Sequence, residues 1–166
     1  ASTIGVHAGV PLRGTHELEL FSVESDKRWP ALELGTHESK AGVTLARASQ
    51  LWRLTFFRGI ERSMMRDPTF LDREFTGFGA EATWLAGPGV LRVSGQRVRN
   101  AYLQFSQLFL ANRVDDFYEL QATYEYAIGS KWFLVPRAVW QQNRSNIAVV
   151  GFERRVWQIE LRRDFY

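Results

Sequence analysis

The residues with the clearest chemical potential lie in the segment THESK, residues 36–40. On a β-strand, side chains two residues apart share a face, so His37 and Ser39 would lie side by side. Such a pair could act as general base and nucleophile in acyl transfer. However, we find no matching acidic residue downstream to orient the histidine, and Lys40 stands where an amide would assist an oxyanion. We therefore interpret the pair as part of a turn or strand rim, and predict that the chain is not an enzyme.

Asp115 and Asp116 form the second candidate, because paired aspartates can serve a hydrolytic protease. Within the segment NRVDD they are more typical of a solvated turn, and no second histidine stands at a plausible position. The sequence has no cysteine. It also has no metal-ligating cluster, nucleophile elbow or phosphate loop. We predict no catalytic residue, no metal site and no cofactor.

Alternating polar side chains near the C-terminus form the third candidate, and they favour transport over catalysis. A polar strand face that mixes Gln, Glu and Arg suits a hydrated pore that passes a polar polymer. It also suits a small plugged barrel with a charge network inside, and the sequence leaves both readings open. The predicted lumen-lining residues are Glu119, Gln121, Thr123, Glu125, Arg137, Gln141, Gln158, Glu160 and Arg162.

Gln158, Glu160 and Arg162 lie on a predicted C-terminal strand with the sequence RVWQIELRRDFY, residues 155–166. Trp157, Ile159, Leu161 and Phe165 would share one face, and the residues between them are mostly polar. The same alternation recurs along nearly the whole chain. Aromatic residues make up 14% of it, including six Trp, as expected where aromatic girdles mark membrane interfaces. No apolar run approaches the ~20 residues of a membrane helix. The pattern predicts an all-β fold, an antiparallel transmembrane β-barrel with its apolar face toward lipid.

Alternation and turn residues predict about nine meander strands, or ten if the third is a hairpin around THES. The sixth could be one long strand or two shorter ones. We expect bulges between Leu20 and Phe21, where the phase slips, and at Pro136. The predicted strands cover residues 3–10, 15–25, 31–47, 51–61, 72–85, 90–110, 118–126, 131–142 and 155–166.

Short turns and longer loops alternate between these strands, as in outer-membrane barrels. The short turns are predicted at 11–14, 48–50, 87–89 and 129–130, and the loops at 26–30, 62–69, 111–116 and 143–152. Bacterial single-chain barrels have even strand numbers, so nine strands would be part of a larger barrel. The first predicted strand, residues 3–10, also begins at the very start of the chain, with no periplasmic lead before it. Residues 1–166 are therefore predicted to be one barrel domain, or the C-terminal portion of one, with a complete small barrel as the alternative.

The charge pattern argues against nucleic-acid binding. The formal net charge is +3, but the arginines are scattered over strands and loop tips, and no nucleic-acid-binding signature is present. No signal peptide is visible at Ala1, so the chain would be a mature protein or a fragment.

The segment YEYAIGSKWFLVPRAVWQQNRSNIAVVGFERRVWQIELRRDF, residues 124–165, resembles the end of barrels fused behind tetratricopeptide repeats in bacterial outer membranes. These barrels include exopolysaccharide export porins of the Pel and cellulose type and surface lipoprotein assembly modifiers. The segment GVPLRGTHELEL, residues 9–20, is similar to their periplasmic turns. The cues are Pro136-Arg137, Ser145-Asn146, Phe152-Glu153-Arg154 and Leu161-x-x-x-Phe165.

This resemblance implies a passive pore in the bacterial outer membrane, part of a biofilm polysaccharide export system. Its partners would be outer-membrane lipid, the exported polysaccharide and a periplasmic scaffold or lipoproteins, without nucleic acid. The alternatives are a lipoprotein-translocating barrel, or a complete small barrel that is structural or hydrolyses lipid A. The lipid A hydrolase alternative rests on His37 and Ser39, which resemble the His-x-Ser pair of outer-membrane lipid A 3-O-deacylases over these few residues only.

Overall fold

The period-two alternation in the sequence corresponds to nine long strands in the computed structural model. The structure describes residues 2–12, 14–29, 34–47, 51–64, 72–106, 109–129 and 131–163. No helix in these ranges is long and apolar enough to cross a membrane. The strands are β1 (Ser2–Pro11), β2 (His16–Trp29), β3 (Leu34–Arg47), β4 (Trp52–Ser63), β5 (Arg73–Ala86), β6 (Gly89–Ser106), β7 (Ala111–Ala127), β8 (Trp132–Ser145) and β9 (Phe152–Arg163), with a 3-10 turn at Ala148–Val150.

All nine strands belong to one antiparallel sheet in which each strand pairs with its neighbours in the chain. The predicted all-β meander is confirmed, with nine strands rather than ten. Among the described strands, β1 pairs with β2 alone and β9 with β8 alone. The sheet is therefore open along two edges, consistent with a portion of a larger barrel.

The predicted irregularities are mostly wrong. β3 is a single strand in continuous register with β2 and β4, without a hairpin at THES. β2 has no bulge at Leu20, because its register with both neighbours is unbroken. At Pro136 the register does not shift either. Instead the β7–β8 ladder is interrupted beside this residue, since proline has no backbone N–H to donate. β6 is one strand, with a register shift between Ala101 and Phe105.

Two of the predicted loops are also wrong, because strands continue through them. β2 extends through 26–29, and β7 already begins at Ala111, so the segment 111–116 is strand. These segments are rich in charge because their side chains pair across strands, and polarity alone does not distinguish such strands from loops. The loop at 143–152 is shorter than predicted, as β8 continues to Ser145. Three predicted segments lie outside the described residues. They are the turn at 48–50, residues 65–69 of the predicted loop 62–69, and the terminal residues Asp164, Phe165 and Tyr166.

The sheet curls so that one face surrounds a cavity. Side chains from β2 through β9 line a single cavity of about 540 Å³. In a flat sheet, β2 and β9 would lie about 34 Å apart, too far to meet around such a volume. We call the face toward this cavity the inner face and the opposite one the outer face. Strand parity assigns each residue to one of them.

Two inner-face glycines permit close packing of aromatic rings in the curved region. A Cβ atom at Gly77 would lie 2.2 Å from the ring of Phe57, and one at Gly59 would lie 2.4 Å from the ring of Phe75. Each ring thus covers a glycine on the neighbouring strand. Such glycine positions with aromatic cover are a recurrent means of bending sheets.

Burial in this molecule is inverted relative to a soluble domain. Phe75 and Ile147 are the only fully buried apolar residues among those described. In contrast, large apolar side chains are exposed on the outer face, with Trp157 at 80% and Leu120 at 51%. The buried polar or charged residues are Thr36, Thr44, Glu61, Asn100, Asp115 and Asn143.

The outer face divides into two zones along the strands. Toward the turns that join β1–β2, β3–β4, β5–β6 and β7–β8 lies an apolar band rich in aromatic residues. Toward the other end lies a charged collar in which neighbouring strands exchange ion pairs. The band includes Val10, Leu20, Trp52, Leu54, Phe56, Phe78, Trp84, Leu120, Tyr126, Trp132, Trp157, Ile159 and Leu161. The collar includes Glu24, Asp26, His37, Arg58, Arg62, Glu74, Arg97, Arg99, Asp116, Arg144, Glu153 and Arg155.

Candidate functional site

The predicted lumen-lining residues all lie on the inner face, on β7, β8 and β9. The register brings their strands side by side, with Glu119 opposite Gln141, and Arg137 opposite both Thr123 and Gln158. Their role as the lining of a lumen stays a prediction. The full set on this face is Glu119, Gln121, Thr123, Glu125, Arg137, Gln141, Gln158, Glu160 and Arg162.

A hydrogen-bonded row crosses four strands of this face. The amide of Gln96 on β6 donates to Glu119 on β7, at 3.2 Å, and the amide of Gln141 on β8 donates to the other oxygen of the same carboxylate. The guanidinium of Arg154 on β9 donates in turn to the Gln141 oxygen, with Nε at 3.1 Å. Because Gln141 both accepts and donates, the row is continuous and fixes the side chains against the wall.

Two shorter connections lie nearer the turn end of the same strands. Arg137 donates to the amide oxygen of Gln121 at 2.6 Å. Arg162 on β9 reaches across β8 to Glu125 on β7 at 3.0 Å, and its guanidinium lies 4.8 Å from the centre of the Phe133 ring. This contact therefore joins strands two apart and spans the inner face of β8.

A second inner-face network is buried near the collar end of β3 to β6. Glu61 accepts from the Thr36 hydroxyl at 2.7 Å and from Arg73 Nε at 2.8 Å. Arg73 also donates to the amide oxygen of Asn100 at 3.1 Å, and Lys27 Nζ lies 3.7 Å from Glu61. Glu61 is only 5% exposed. Burying an ionised carboxylate costs stability unless charged and polar partners surround it. Removing any one of these partners is therefore expected to weaken the whole cluster.

Asp115 and Asp116 do not form a solvated turn, and this interpretation is wrong. They are consecutive residues of β7 and therefore point to opposite faces. Asp115 is 2% exposed on the inner face, where Arg113 Nε donates to it at 3.0 Å. Asp116 lies in the outer collar, paired with Arg97 at 2.8 Å. Their separation excludes a shared acid–base site.

The cavity combines charged groups with aromatic surfaces. Lys40 lies 4.5 Å from the ring centre of Phe57, and Arg113 lies 4.3 Å from that of Tyr102. These cation–ring contacts hold both cations against the wall. The main aromatic lining residues are Phe57, Phe75, Tyr102, Phe117 and Phe152.

Charge is balanced on the inner face and unbalanced on the outer face. The described inner strand positions carry as many basic as acidic side chains, namely Lys27, Lys40, Arg53, Arg73, Arg92, Arg113, Arg137, Arg154 and Arg162 against Glu17, Glu19, Glu38, Glu61, Glu81, Asp115, Glu119, Glu125 and Glu160. The outer positions carry an excess of arginine, with Arg28, Arg47, Arg58, Arg62, Arg97, Arg99, Arg144, Arg155 and Arg163 against Glu24, Asp26, Glu74, Asp116 and Glu153. The basic excess of these strands thus faces outward.

His37 and Ser39 share the outer face of β3, as the spacing predicts, but they do not form a dyad. His37 Nδ1 lies 2.8 Å from Asp26, and Nε2 lies 2.8 Å from Glu24, both on β2. Two carboxylates therefore occupy both ring nitrogens, which favours a charged imidazolium over a neutral base. Lys40 lies on the opposite face and cannot assist an oxyanion beside Ser39.

Sequence reasoning missed two features of the site. It sought an acidic partner for His37 only downstream, whereas antiparallel pairing brings Asp26 from the preceding strand. It also missed the buried cluster around Glu61, although alternation in β4 places this residue in phase with Gly59 and Phe57. Strand parity alone places Asp26, His37 and Glu61 on their faces, but their partners follow only from the register between strands.

The chain matches no protein-family model, no curated protein and no solved structure. Within the described ranges, no three histidine or acidic side chains are grouped so that they could hold a metal ion. What the molecule does must therefore be inferred from its own residues.

Proposed function

We propose that this chain forms part of the wall of a bacterial outer-membrane β-barrel that exports a polar polymer, an exopolysaccharide. The observation that carries this proposal is the inverted burial of the sheet. Its inner face is polar and hydrogen-bonded, while its outer face carries the exposed apolar band beside the charged collar. Monomeric soluble proteins rarely expose so large an apolar surface, whereas a lipid-facing barrel wall requires one.

The dimensions of the band fit a membrane. On β7 the outer face is apolar or aromatic from Tyr118 to Tyr126, which spans about 27 Å along the strand. With a strand tilt of roughly 40°, this corresponds to about 21 Å along the barrel axis, close to the ~25 Å of outer-membrane barrels. Trp52, Trp84 and Trp132 lie at the turn end of the band, where an interfacial girdle belongs.

The inner face suits a hydrated polymer rather than a small ion or an apolar ligand. Its charges are balanced and largely paired with one another, so no strong field would trap a charged chain. Amide and hydroxyl groups remain for exchangeable hydrogen bonds. The ring of Phe152, 48% exposed, adds a surface on which the C–H face of a sugar ring can pack.

Export also requires more strands than the nine described. Barrels of about eight strands are filled by their own side chains, and aqueous channels appear only at larger strand numbers. The unpaired edges of β1 and β9 are where further strands would join, from the same polypeptide or from partner chains.

Changing Glu119, Glu125 and Glu160 to Lys is expected to shift the ion selectivity of the pore toward anions. The substitutions replace three negative inner-face charges with positive ones and leave the outer face unchanged. The measurement is the reversal potential of the whole protein in a planar bilayer under a salt gradient. Export of a cationic polymer should fall in parallel.

The matched control changes Glu24, Glu74 and Glu153 to Lys on the outer face, which should leave the selectivity unaltered. A closed barrel that conducts no ions would contradict the export proposal. In that case the complete small barrel would become the better reading. Normal polysaccharide export together with lost surface display of lipoproteins, in cells lacking the protein, would favour the lipoprotein-translocating alternative.

The lipid A hydrolase alternative rests on His37 and Ser39, to which we assign no catalytic role. Alanine at both positions is expected to leave the acylation of lipid A unchanged, because the imidazole is held by two carboxylates and not by the serine. The measurement is mass spectrometry of lipid A from cells expressing each form. Loss of a deacylated species in the double variant would establish the enzyme instead.

A further inference from the structure

Half of the basic excess of the outer strand positions lies in one part of the charged collar, where four arginines stand among two acidic side chains. Arg97 and Arg144, on β6 and β8, flank the ring of Tyr118, while Arg99 lies opposite Asp116 and Arg155 on β9 lies opposite Trp140. Only two acidic side chains lie among them in the described strands, Asp116 and Glu153. We call the four arginines the arginine cluster. It adjoins the apolar band, which begins on β7 at Tyr118.

The cluster is held in an exposed and preorganised form. The guanidinium groups of Arg97 and Arg144 lie 5.4 Å and 5.6 Å from the centre of the Tyr118 ring. Two members have a carboxylate partner, Arg97 with Asp116 and Arg155 with Glu153, each at 2.8 Å, yet their side chains remain 52% and 70% exposed. Arg99 and Arg144 have no acidic partner within 4 Å among the described residues, and Arg144 donates only to Gln142. Their charges are therefore available to an external anion.

The same level of the collar on β2 to β5 is different. Its three outward arginines, Arg28, Arg58 and Arg62, are matched by four carboxylates, those of Glu24, Asp26, Asp72 and Glu74, with Arg58 paired with Glu74 at 3.1 Å and Arg62 with Asp72 at 3.4 Å. His37 lies between Glu24 and Asp26. The charges on this side neutralise one another, so the positive potential is specific to the side formed by β6 to β9.

We propose that the arginine cluster binds the phosphate groups of an anionic lipid in the adjoining membrane leaflet. This inference rests on the proposed membrane location. Guanidinium groups match phosphate oxygens with paired hydrogen bonds. A lipid whose acyl chains cover Leu120 and Trp157 would place its headgroup beside Tyr118. Cations next to a lipid-facing surface attract anionic headgroups. The carboxylates of the collar on β2 to β5 would repel such headgroups, so the site is confined to the side formed by β6 to β9.

The test compares binding of diphosphoryl lipid A to the whole protein in phosphatidylcholine nanodiscs, measured by native mass spectrometry and lipid competition. The variant changes Arg97, Arg99 and Arg144 to Gln. The matched control changes Arg28, Arg58 and Arg62 to Gln on the opposite side of the collar. We expect at least tenfold weaker binding in the cluster variant and less than a twofold change in the control.

Three further results separate the possible sources of the anion. Lipid A without phosphates should bind at least tenfold more weakly, and inorganic phosphate at millimolar concentration should not displace the lipid. For the unmodified protein, raising the salt concentration should weaken binding, because the charges are exposed. The salt dependence of the unmodified protein tests the inference even if the variant folds poorly.

Equal binding of lipid A by the cluster variant and the control variant would overturn the inference and leave the barrel proposal intact. Efficient displacement of lipid A by free phosphate would have the same consequence. Failure of the unmodified protein to insert into lipid would instead contradict the proposed function, and this inference with it.

Discussion

Replacing Glu61 with alanine is expected to lower the free energy of unfolding by about 3 kcal/mol, the low end for breaking a buried ion pair, since it leaves the partly buried Arg73 guanidinium, 28% exposed, without its counter-ion. Arg73 donates to this carboxylate through Nε at 2.8 Å and Nη2 at 2.6 Å, and would retain only Asn100. The Thr36 hydroxyl, 1% exposed, would also lose its acceptor. The measurement is a urea titration of the protein folded in lipid vesicles.

The matched control is Glu81→Ala, at an inner-face ion pair that is open to solvent. Glu81 lies 3.5 Å from Arg92, and both side chains are more than 40% exposed. Such pairs contribute about 0–1 kcal/mol. The double change Glu61→Leu with Arg73→Met should recover much of the lost stability, because it removes both charges of the pair together. Equal effects of Glu61→Ala and Glu81→Ala would show that the cluster is not buried in the folded protein.

Replacing Leu120 with arginine is expected to cost about 2–4 kcal/mol of folding free energy in lipid. Leu120 lies in the apolar band, between Gly95 on β6 and Trp140 on β8. An arginine there would have to bring its charge into hydrocarbon or distort the bilayer. The measurement is again the equilibrium unfolding of the protein in vesicles.

Its control is Gln121→Arg, one residue further along the same strand but on the inner face. There the new guanidinium would replace the acceptor of Arg137, which donates to Gln121 at 2.6 Å, so we expect a like-charge cost of at most about 1 kcal/mol. Similar costs at both positions would mean that the two faces of β7 have the same environment. The assignment of lipid and lumen would then be wrong.

The strand content and the two faces of the sheet were predictable because a period-two pattern specifies both at once. The segment from Tyr118 to Tyr126 illustrates this, since every residue lies on its predicted face. The ends of the strands were less predictable. Asp26, Lys27 and Asp115 look like loop residues by composition, but cross-strand partners stabilise them within strands.

The functional surfaces were predictable only in part. The inner-face residues of β7, β8 and β9 follow from parity within single strands. The partners of His37 and Glu61 do not, because they depend on the register between strands, which local sequence does not specify. The basic excess on the outer face of β6 to β9 also appears only when four strands are aligned.

Cysteine accessibility along β7 tests the central claim most directly, namely that one face of this sheet lies in lipid and the other in water. The chain contains no cysteine, so single cysteines can be placed at positions 118–126 without background. In native membranes, a water-soluble maleimide should label positions 119, 121, 123 and 125, while 120, 122 and 124 react only after detergent denaturation. Equal labelling of the two sets would contradict the barrel wall.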